Sequence, residues 1–272
     1  MILFAFAFSF KQTVKGGIVM FENDLFIRSV EVSEDIPVNN YINYLPVVRS
    51  LRKNGGLKFN KRITFFVGEN GTGKSTLTEA LAVKSGFNPE GGTVNFNFST
   101  RESHSDLYKY LKVSRGVIER RGGYFLRAES FFNVATNIEE MDEIPCAAPK
   151  IIDSYGGVSL HEQSHGESFM ALAENKFYGQ GLYILDEPEA ALSPMRLMKL
   201  MCIIDRLAKE KSQFIISTHS PILITIPDSE VYEITQSGMS LVDFRETEHY
   251  CVTKSFLNNP ERMTKILLNE EK

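Results

Sequence analysis

Short runs of mostly apolar residues are the clearest pattern along this chain. Residues 182–185 and Ile63–Val67 form two such runs, and Gln213–Ser217 encloses a third. Runs of this kind are typical of parallel strands, because helices cover both faces of a parallel sheet. Amphipathic stretches lie between the runs, so that strands alternate with helices. The pattern therefore predicts an α/β fold with a mainly parallel sheet.

Helices are predicted where apolar residues recur at helical spacing. Ser193-Pro194 suits the N-cap and first position of a helix, and the apolar stripe that follows it is Leu197, Leu200, Met201, Ile204 and Leu207. Further helices are expected at residues 77–83, 130–138, 169–177, 247–258 and 261–269. Strands are expected at 24–32 and 93–98, and in two hairpins, 116–120 with 123–127 and 231–235 with 239–244. The Pro-, Gly- and Asn-rich residues 34–56 are expected to form a loop.

The run Ile63–Val67 leads directly into a glycine-rich segment. Its residues are Gly68-Glu69-Asn70-Gly71-Thr72-Gly73-Lys74-Ser75-Thr76, which fit the G-x-x-x-x-G-K-[ST] pattern of a Walker A phosphate-binding loop. The glycines let the backbone turn tightly and point N–H groups at phosphate oxygens. Lys74 can reach the β- and γ-phosphates, and the Ser75 hydroxyl can bind Mg²⁺. A strand before the loop and a helix after it provide the context that this motif needs.

Two carboxylates end the apolar run 182–185. Asp186 lies at the predicted strand end, where it can hold Mg²⁺ directly or through water. Glu187 follows it and can orient and deprotonate an attacking water. Many strands end in acidic residues that only face solvent, so the pattern is weak by itself. Here the pattern follows a Walker A motif by about the length of a domain, and it therefore predicts a Walker B strand.

Composition limits the classes to which the protein can belong. The 272 residues are 43% hydrophobic and 24% charged, as in an ordinary globular protein. The net charge of −4 indicates no general affinity for nucleic acid, although a local basic patch stays compatible with it. Cys146, Cys202 and Cys251 are spaced for neither a zinc site nor a disulfide framework, which favours a cytoplasmic location.

The first ten residues are apolar, which raises the question of a signal peptide or a membrane anchor. The stretch is too short to span a bilayer, and it lacks the basic start and the cleavage site of a signal peptide. Lys15-Gly16-Gly17 can be encoded by a sequence resembling a ribosome-binding site, and Met20 follows at a suitable distance. We therefore expect residues 1–19 to be a non-native upstream extension, residues 20–272 to form one domain, and no membrane insertion.

Ser164-His165-Gly166-Glu167-Ser168 lies between the two Walker motifs and precedes the amphipathic stretch 169–177. By itself the segment fits a capped helix, because Ser164 and Glu167 have the S-x-x-E spacing of a capping box. In this position it resembles the signature of the ATP-binding-cassette (ABC) ATPase superfamily, although Gln163 replaces the usual Leu. In that family the signature of one protomer meets the γ-phosphate bound to the other. A helix N-terminus with a Ser hydroxyl suits an anion.

Two further segments continue the resemblance. Residues 186–194 correspond to the family's catalytic glutamate and D-loop, with Ser193 in place of the usual terminal Asp. His219, in a Thr-His-Ser-Pro sequence after a predicted strand, matches the switch histidine that contacts the γ-phosphate. A lone histidine at a strand end is more often structural, but its context and its order in the chain favour function. No glutamine is evident at the family's Mg²⁺-sensing position, and Glu129 is the candidate substitute.

Adenine recognition is the least defined part of the prediction. Many ATPases cover the base with an aromatic or basic residue, and Tyr41, Tyr44 and Arg49 in the predicted loop are candidates. For any one of them, a role as a surface or packing residue is the more frequent explanation.

The resemblance covers about residues 25–225. Within the superfamily, the chain most resembles the soluble branch, which includes chromosome-maintenance, recombination-repair and phage-defence ATPases. Small stand-alone bacterial ATPases also belong to that branch. It implies a P-loop NTPase fold with a mainly parallel sheet flanked by helices, an antiparallel β portion and a small helical lobe near 131–180. It also implies a homodimer that closes over two Mg-ATP and acts on an unknown protein partner. The alternatives are a nucleotide-gated module that regulates a nuclease or toxin effector, and a transporter motor subunit, which would need a membrane partner.

The resemblance also assigns roles to residues. The Walker A residues from Gly68 to Thr76 bind the phosphates, and Ser75, Asp186 and Glu129 hold Mg²⁺. Glu187 is the catalytic base, aided by His219 and Lys74. The remaining nucleotide contacts, Ser164, Gly166 and Glu167, are expected to come from the other protomer.

Overall fold

The computed structural model describes residues 13–14, 17–18, 24–94, 105–128, 131–143, 149–159 and 161–268. Its strands are β1 (Thr13–Val14), β2 (Gly17–Ile18), β3 (Ile27–Val32), β4 (Leu57–Lys58), β5 (Ile63–Val67), β6 (Leu111–Arg115), β7 (Gly122–Arg127), β8 (Gly181–Asp186), β9 (Gln213–Ser217), β10 (Ser229–Thr235) and β11 (Gly238–Val242). Its α-helices are α1 (Pro46–Lys53), α2 (Lys74–Lys84), α3 (Leu107–Tyr110), α4 (Phe131–Glu143), α5 (His165–Lys176), α6 (Pro194–Lys209), α7 (Glu248–Asn258) and α8 (Pro260–Leu267). In this part of the chain no helix combines the length and the apolar character needed to cross a membrane.

A six-stranded sheet forms the centre of the fold, in the order β11-β10-β5-β9-β8-β7. The strands from β10 to β7 pair in parallel, and β11 adds an antiparallel edge through the predicted hairpin with β10. A second, antiparallel sheet has the order β4-β3-β6. The predicted α/β fold, with a mainly parallel sheet and an antiparallel portion, is therefore confirmed.

Neighbouring residues of the central strands are buried on opposite faces of the sheet, as the pleat of a strand requires. Phe65 and Phe66 are both fully buried, yet they belong to separate apolar cores. The core around Phe65 includes residues of α4, α5 and α6, namely Val134, Ile138, Phe169, Leu172, Leu200 and Ile204. The core around Phe66 includes residues of α1, α2 and the antiparallel sheet, namely Val47, Leu51, Leu77, Leu81, Val30 and Leu111.

The topology places the candidate motifs at one edge of the central sheet. β5, β9 and β8 are adjacent and parallel, so their carboxyl ends meet there. The Walker A loop follows β5, Asp186 ends β8, and Thr218-His219 follows β9. Ligands of open α/β sheets bind outside the carboxyl ends of the strands, and this edge is such a position.

The prediction of a loop throughout residues 34–56 is wrong, because α1 occupies Pro46–Lys53. Pro46 begins the helix at its first turn, where a proline costs no hydrogen bond. Val47, Val48 and Leu51 are fully buried on one side. The many Pro, Gly and Asn residues nearby flank this helix and do not exclude it.

The predicted hairpin of 116–120 with 123–127 is also wrong. β7 pairs in parallel with β8, with Gly122 opposite Gly181, whereas residues 116–120 form no strand. The strand before them, β6, belongs to the antiparallel sheet and pairs with β3. Strand pairing at long range overrides the local turn signal here. Of the predicted strand 93–98, residues 93 and 94 are not in a strand, and the rest lie outside the described residues.

Candidate functional site

The Walker A loop turns between β5 and α2 on three glycines with positive φ: Gly68 at 133°, Gly71 at 81° and Gly73 at 94°. A Cβ on Gly68 would lie 2.0 Å from the carbonyl oxygen of Ile234 in β10. A Cβ on Gly73 would lie 2.6 Å from Cγ1 of Val47 in α1, whereas Gly71 faces open space. The loop therefore lies tightly against β10 and α1, and only a glycine fits at its first and last turns.

This packing predicts different costs for two alanine substitutions in the loop. Gly68→Ala combines left-handed backbone strain with a clash against a strand carbonyl, so we expect a loss of about 2–6 kcal/mol in the free energy of unfolding. Gly71→Ala carries the strain alone, so we expect about 1–3 kcal/mol. Denaturant unfolding without nucleotide measures both values. Equal losses for the two variants would contradict the close packing of Gly68 against β10.

The Lys74 side chain folds back over the loop. Its Nζ donates hydrogen bonds to the carbonyl oxygens of Gly68 at 2.6 Å and Glu69 at 2.9 Å. Burial lowers the pKa of Lys74, and the negative charges of Glu187 and Asp186 are the largest effects that oppose this shift. The ammonium group thus lies over the loop, where it interacts with both Walker B carboxylates.

Asp186 is buried at the end of β8, with a 4% exposed fraction. Its carboxylate accepts hydrogen bonds from the hydroxyl groups of Ser217 and Ser75. Burial raises its pKa, and these two hydrogen bonds, with the nearby Arg127, oppose the rise. Mg²⁺ in nucleotide sites takes one or two carboxylates and completes its shell with phosphate and water oxygens. The contact between the Ser75 hydroxyl and the Asp186 carboxylate therefore fits such an ion.

Arg127, which the sequence analysis did not single out as a site residue, lies between two acidic side chains. Its Nη1 contacts Oε2 of Glu79 at 2.6 Å, and its Nε lies 3.7 Å from Oδ2 of Asp186. Arg127 is opposite Asp186 in the pairing of β7 with β8, so strand register brings the two together. The candidate Mg²⁺ residue Glu129 follows two positions later and lies outside the described residues.

Glu187 and His219 face each other across the ends of β8 and β9. Nε2 of His219 lies 3.5 Å from Oε1 of Glu187. Glu187 has a left-handed backbone, with φ 50°, and its N–H donates to the carbonyl oxygen of Ser217 at 2.9 Å. Burial lowers the pKa of His219, and the charges of Lys74 and His249 lower it further. A neutral imidazole therefore lies beside the half-exposed carboxylate of Glu187.

Glu189 holds the backbone of this histidine. Its Oε1 accepts the N–H of His219 at 2.5 Å, and Thr218 donates its hydroxyl to the same carboxylate. Burial raises the pKa of Glu189, and the hydrogen bond from His219 opposes the rise. Position alone cannot distinguish Glu189 from a solvent-facing residue after a strand, so the sequence carried no signal for this role.

The signature segment begins α5, with Ser164 as the N-cap residue. The capping box is present: a Glu167 carboxylate oxygen accepts from the N–H of Ser164 at 3.0 Å and from its hydroxyl at 2.7 Å. Arg196 of α6 donates to Glu167 at 2.8 Å and to the Ser164 hydroxyl at 3.3 Å. A Cβ on Gly166 would lie 2.7 Å from Nη1 of Arg196. Arg196 therefore covers this helix start, a contact that no local pattern in the sequence predicts.

Two of the three adenine candidates, Tyr41 and Tyr44, lie in the turn before α1, and Arg49 lies within α1. Tyr41 and Tyr44 are 57% and 68% exposed, and the Tyr41 hydroxyl donates to Ser105 at 2.9 Å. Arg49 reaches the carbonyl oxygen of Gln236 in the β10–β11 turn at 3.5 Å. A role for any of them in binding adenine stays a prediction.

Comparisons with known sequences agree with the motifs. Residues 44–144 match a family model described as "AAA domain", and residues 159–225 match one described as "AAA domain, putative AbiEii toxin, Type IV TA system". A relative described as "Putative ABC transporter ATP-binding protein", from Listeria monocytogenes, is 28% identical over 201 residues, which are 70% of this chain and 73% of the relative.

Comparisons with solved structures give matches at low identity and low TM-score. The SMC head domain from Thermotoga maritima is 16% identical, with a TM-score of 0.40, over 80% of this chain and 99% of that chain. The cbiO1 protein from Clostridium perfringens, part of the ABC transporter complex cbiONQ, is 15% identical, with a TM-score of 0.44, over 90% of this chain and 99% of that chain. The two AAA-domain sequence matches confirm the resemblance to the ABC-type ATPase superfamily that the motifs of this chain indicate.

Proposed function

We propose that this protein binds Mg-ATP and hydrolyses it between two copies of the chain. The observation that carries the proposal is the convergence of three features at one sheet edge. They are the Walker A lysine Lys74, the Ser75–Asp186 contact, and the pair of Glu187 with His219. A phosphate-binding cation, a pair of Mg²⁺ ligands and a base for the attacking water are recurring parts of sites for phosphoryl transfer to water.

Nucleotide binding rests on the loop and on the end of β8. The N–H groups from Gly68 to Thr76 and the first turn of α2 face the phosphates, because a helix N-terminus favours negative charge. Lys74 exchanges its two carbonyl partners for phosphate oxygens. Ser75 and Asp186 would hold Mg²⁺, with Glu129 as a further candidate, and the ion would neutralise charge on the phosphate oxygens.

Hydrolysis rests on Glu187. Its carboxylate takes a proton from the attacking water while the water oxygen forms a bond to the γ-phosphorus. The bond from that phosphorus to the bridging oxygen breaks, which leaves ADP and inorganic phosphate. His219 donates a hydrogen bond from Nε2 to the γ-phosphate and so keeps it in line with the water.

The second copy of the chain completes each site in this proposal. Ser164, Gly166 and Glu167 begin a helix whose N-terminus, where Ser164 is exposed, suits a phosphate held by a partner protomer. Arg196, which contacts Ser164 and Glu167, adds a positive charge beside that helix start. We also propose that residues 20–272 form one ATPase domain, with its small helical lobe near 131–180 and residues 1–19 as an upstream extension.

Two other functions use the same site. A nucleotide-gated module that regulates a toxin or nuclease draws support from the family model matched at residues 159–225, whose description names a toxin. A transporter motor subunit draws support from the description of the Listeria monocytogenes relative. Slow hydrolysis with ATP-driven dimerisation would favour the gated module. A membrane protein that co-purifies with the chain would favour the motor.

Phosphate release from ATP by the purified protein tests the proposed activity. We expect steady release of phosphate with Mg²⁺ and loss of that release when a chelator removes the ion, because Asp186 and Ser75 are placed to bind it. The matched control is Lys74→Ala, which removes the phosphate-binding cation and leaves the Ser75–Asp186 contact in place. Equal phosphate release by the wild type and Lys74→Ala would rule out turnover at this site.

A further inference from the structure

Helix α7 brings a second histidine against His219. Nε2 of His249 lies 3.2 Å from Nδ1 of His219, and the two rings meet edge to face with their centroids 5.1 Å apart. The other ring nitrogen of His219, Nε2, lies 3.5 Å from Oε1 of Glu187. His219 therefore lies between His249 and the candidate base, with one ring nitrogen toward each.

The direction of the hydrogen bond between the histidines decides where His219 carries its proton. A neutral imidazole has one N–H donor and one bare acceptor nitrogen. If His219 donated from Nδ1, its bare Nε2 would face the Glu187 carboxylate, and two electron-rich groups would repel each other. If His249 donates, His219 carries its proton on Nε2 and directs it toward Glu187. The lowered pKa of His219 favours a neutral ring, which the arrangement with His249 as the donor requires.

Unpartnered ring nitrogens favour the second arrangement. Within the described part of the chain, His219 Nε2 and His249 Nδ1 are buried and have no hydrogen-bond partner. A proton on Nδ1 of His249 would leave a buried N–H without an acceptor, which is rare in folded proteins. A proton on Nε2 of His219 instead faces Oε1 of Glu187, 3.5 Å away. His249 is therefore better protonated on Nε2, toward His219. A γ-phosphate oxygen would accept the hydrogen bond that the N–H at His219 Nε2 can donate.

The start of α7 is held beside the phosphate loop. The N–H of Glu248 donates to the Glu233 carboxylate at 2.9 Å, and Glu233 is opposite Val67, the residue before Gly68, in the pairing of β10 with β5. No residue of α7 is buried. Contacts at the helix start therefore position His249, and the neighbouring Tyr250 adds packing against the core and against Phe244.

We propose that His249 is a positioning residue. It donates from Nε2 to Nδ1 of His219 and holds the proton of His219 on Nε2, where that proton can reach Glu187 and the γ-phosphate. The catalytic consequence rests on the proposed function, because contact of His219 with a phosphate is part of it. The direction of the hydrogen bond between the histidines does not depend on ATP hydrolysis.

Kinetics of two His249 variants test the consequence for turnover. His249→Met keeps bulk but removes the donor, and we expect kcat to fall by about 10- to 100-fold with a nearly unchanged KM for ATP, as when the partner of a metal-binding histidine is removed. His249→Gln supplies an amide donor and should restore most of the rate. Val252→Ala, at an exposed position of the same helix, is the control. Wild-type turnover by His249→Met, or no recovery with His249→Gln, would overturn the proposal.

Nitrogen NMR of the histidine side chains tests the tautomer directly, without nucleotide. We expect His219 of the wild-type protein to be protonated at Nε2, and His249→Met to convert it to a mixture of both tautomers. His219→Gln and His249→Gln assign the resonances. A wild-type His219 protonated at Nδ1, or resonances of His219 that His249→Met leaves unchanged, would overturn the proposal. If the protein released no phosphate from ATP, the proposed function would fail, and this measurement would still decide the tautomer.

Discussion

Glu187→Gln is expected to lower ATP turnover by about 10²- to 10⁴-fold, the usual loss when a positioned general base is removed. The glutamine keeps the size of the side chain and can still contact His219, whose Nε2 lies 3.5 Å from Oε1 of Glu187. It cannot accept a proton from the attacking water. Steady-state phosphate release measures the rate, and a filter-binding assay with labelled ATP should show that nucleotide binding survives.

Glu174→Gln is the matched control for this experiment. It also removes one carboxylate, but Glu174 lies on α5, where it pairs with Lys199 of α6. Its turnover should equal that of the wild type. If Glu187→Gln retained near-normal turnover, the base would be a different residue. Glu189, whose carboxylate accepts from the N–H of His219, would then be the first to examine.

Mixing two inactive variants is expected to restore activity. Lys74→Ala removes a phosphate ligand from the Walker A loop. Ser164→Arg places bulk at the start of α5, where Ser164 is exposed and already contacts Arg196. If each site takes Lys74 from one chain and Ser164 from the other, each variant alone should be inactive. A mixed dimer then has one site with both defects and one with neither.

The expected rescue has a defined size. Random pairing of equal amounts makes half of all dimers mixed, and each mixed dimer has one intact site out of two. Up to about a quarter of wild-type turnover should therefore return if one site can work alone, since statistics alone sets this limit. A control mixture of Lys74→Ala with Glu174→Gln distinguishes complementation from simple dilution. Failure of rescue at every ratio would favour a role for Ser164 confined to the capping box.

Local sequence patterns were sufficient for the elements that carry the nucleotide motifs. The apolar run before Gly68 is β5, the run before Asp186 lies in β8, and Ser193 caps α6 and accepts the N–H of Arg196. In each case the signal is local, because burial on both faces or a cap is specified within a few residues. The mainly parallel sheet follows from the alternation of strands and helices around the loop.

The partners of the site residues could not be predicted in this way. Arg127 contacts Glu79 at a separation of 48 residues, Arg196 contacts Ser164 at 32, and His249 contacts His219 at 30. Each pair forms because strand register or helix packing brings distant positions together. An arginine or histidine at an ordinary position of a helix or strand carries no local mark of such a contact. The missed helix α1 is similar, since burial of Val47 and Leu51 against the loop and the sheet stabilises it.

Sedimentation of the Glu187→Gln protein, with and without Mg-ATP, tests the central claim most directly. Two copies that close over nucleotide should separate only after hydrolysis, so a variant that binds ATP but cannot cleave it should accumulate as the closed form. We predict a monomer without nucleotide and a dimer of twice the mass with saturating Mg-ATP. Adding Ser164→Arg to the same chain should return it to a monomer. A Glu187→Gln protein that binds ATP and still sediments as a monomer would contradict the proposed dimer.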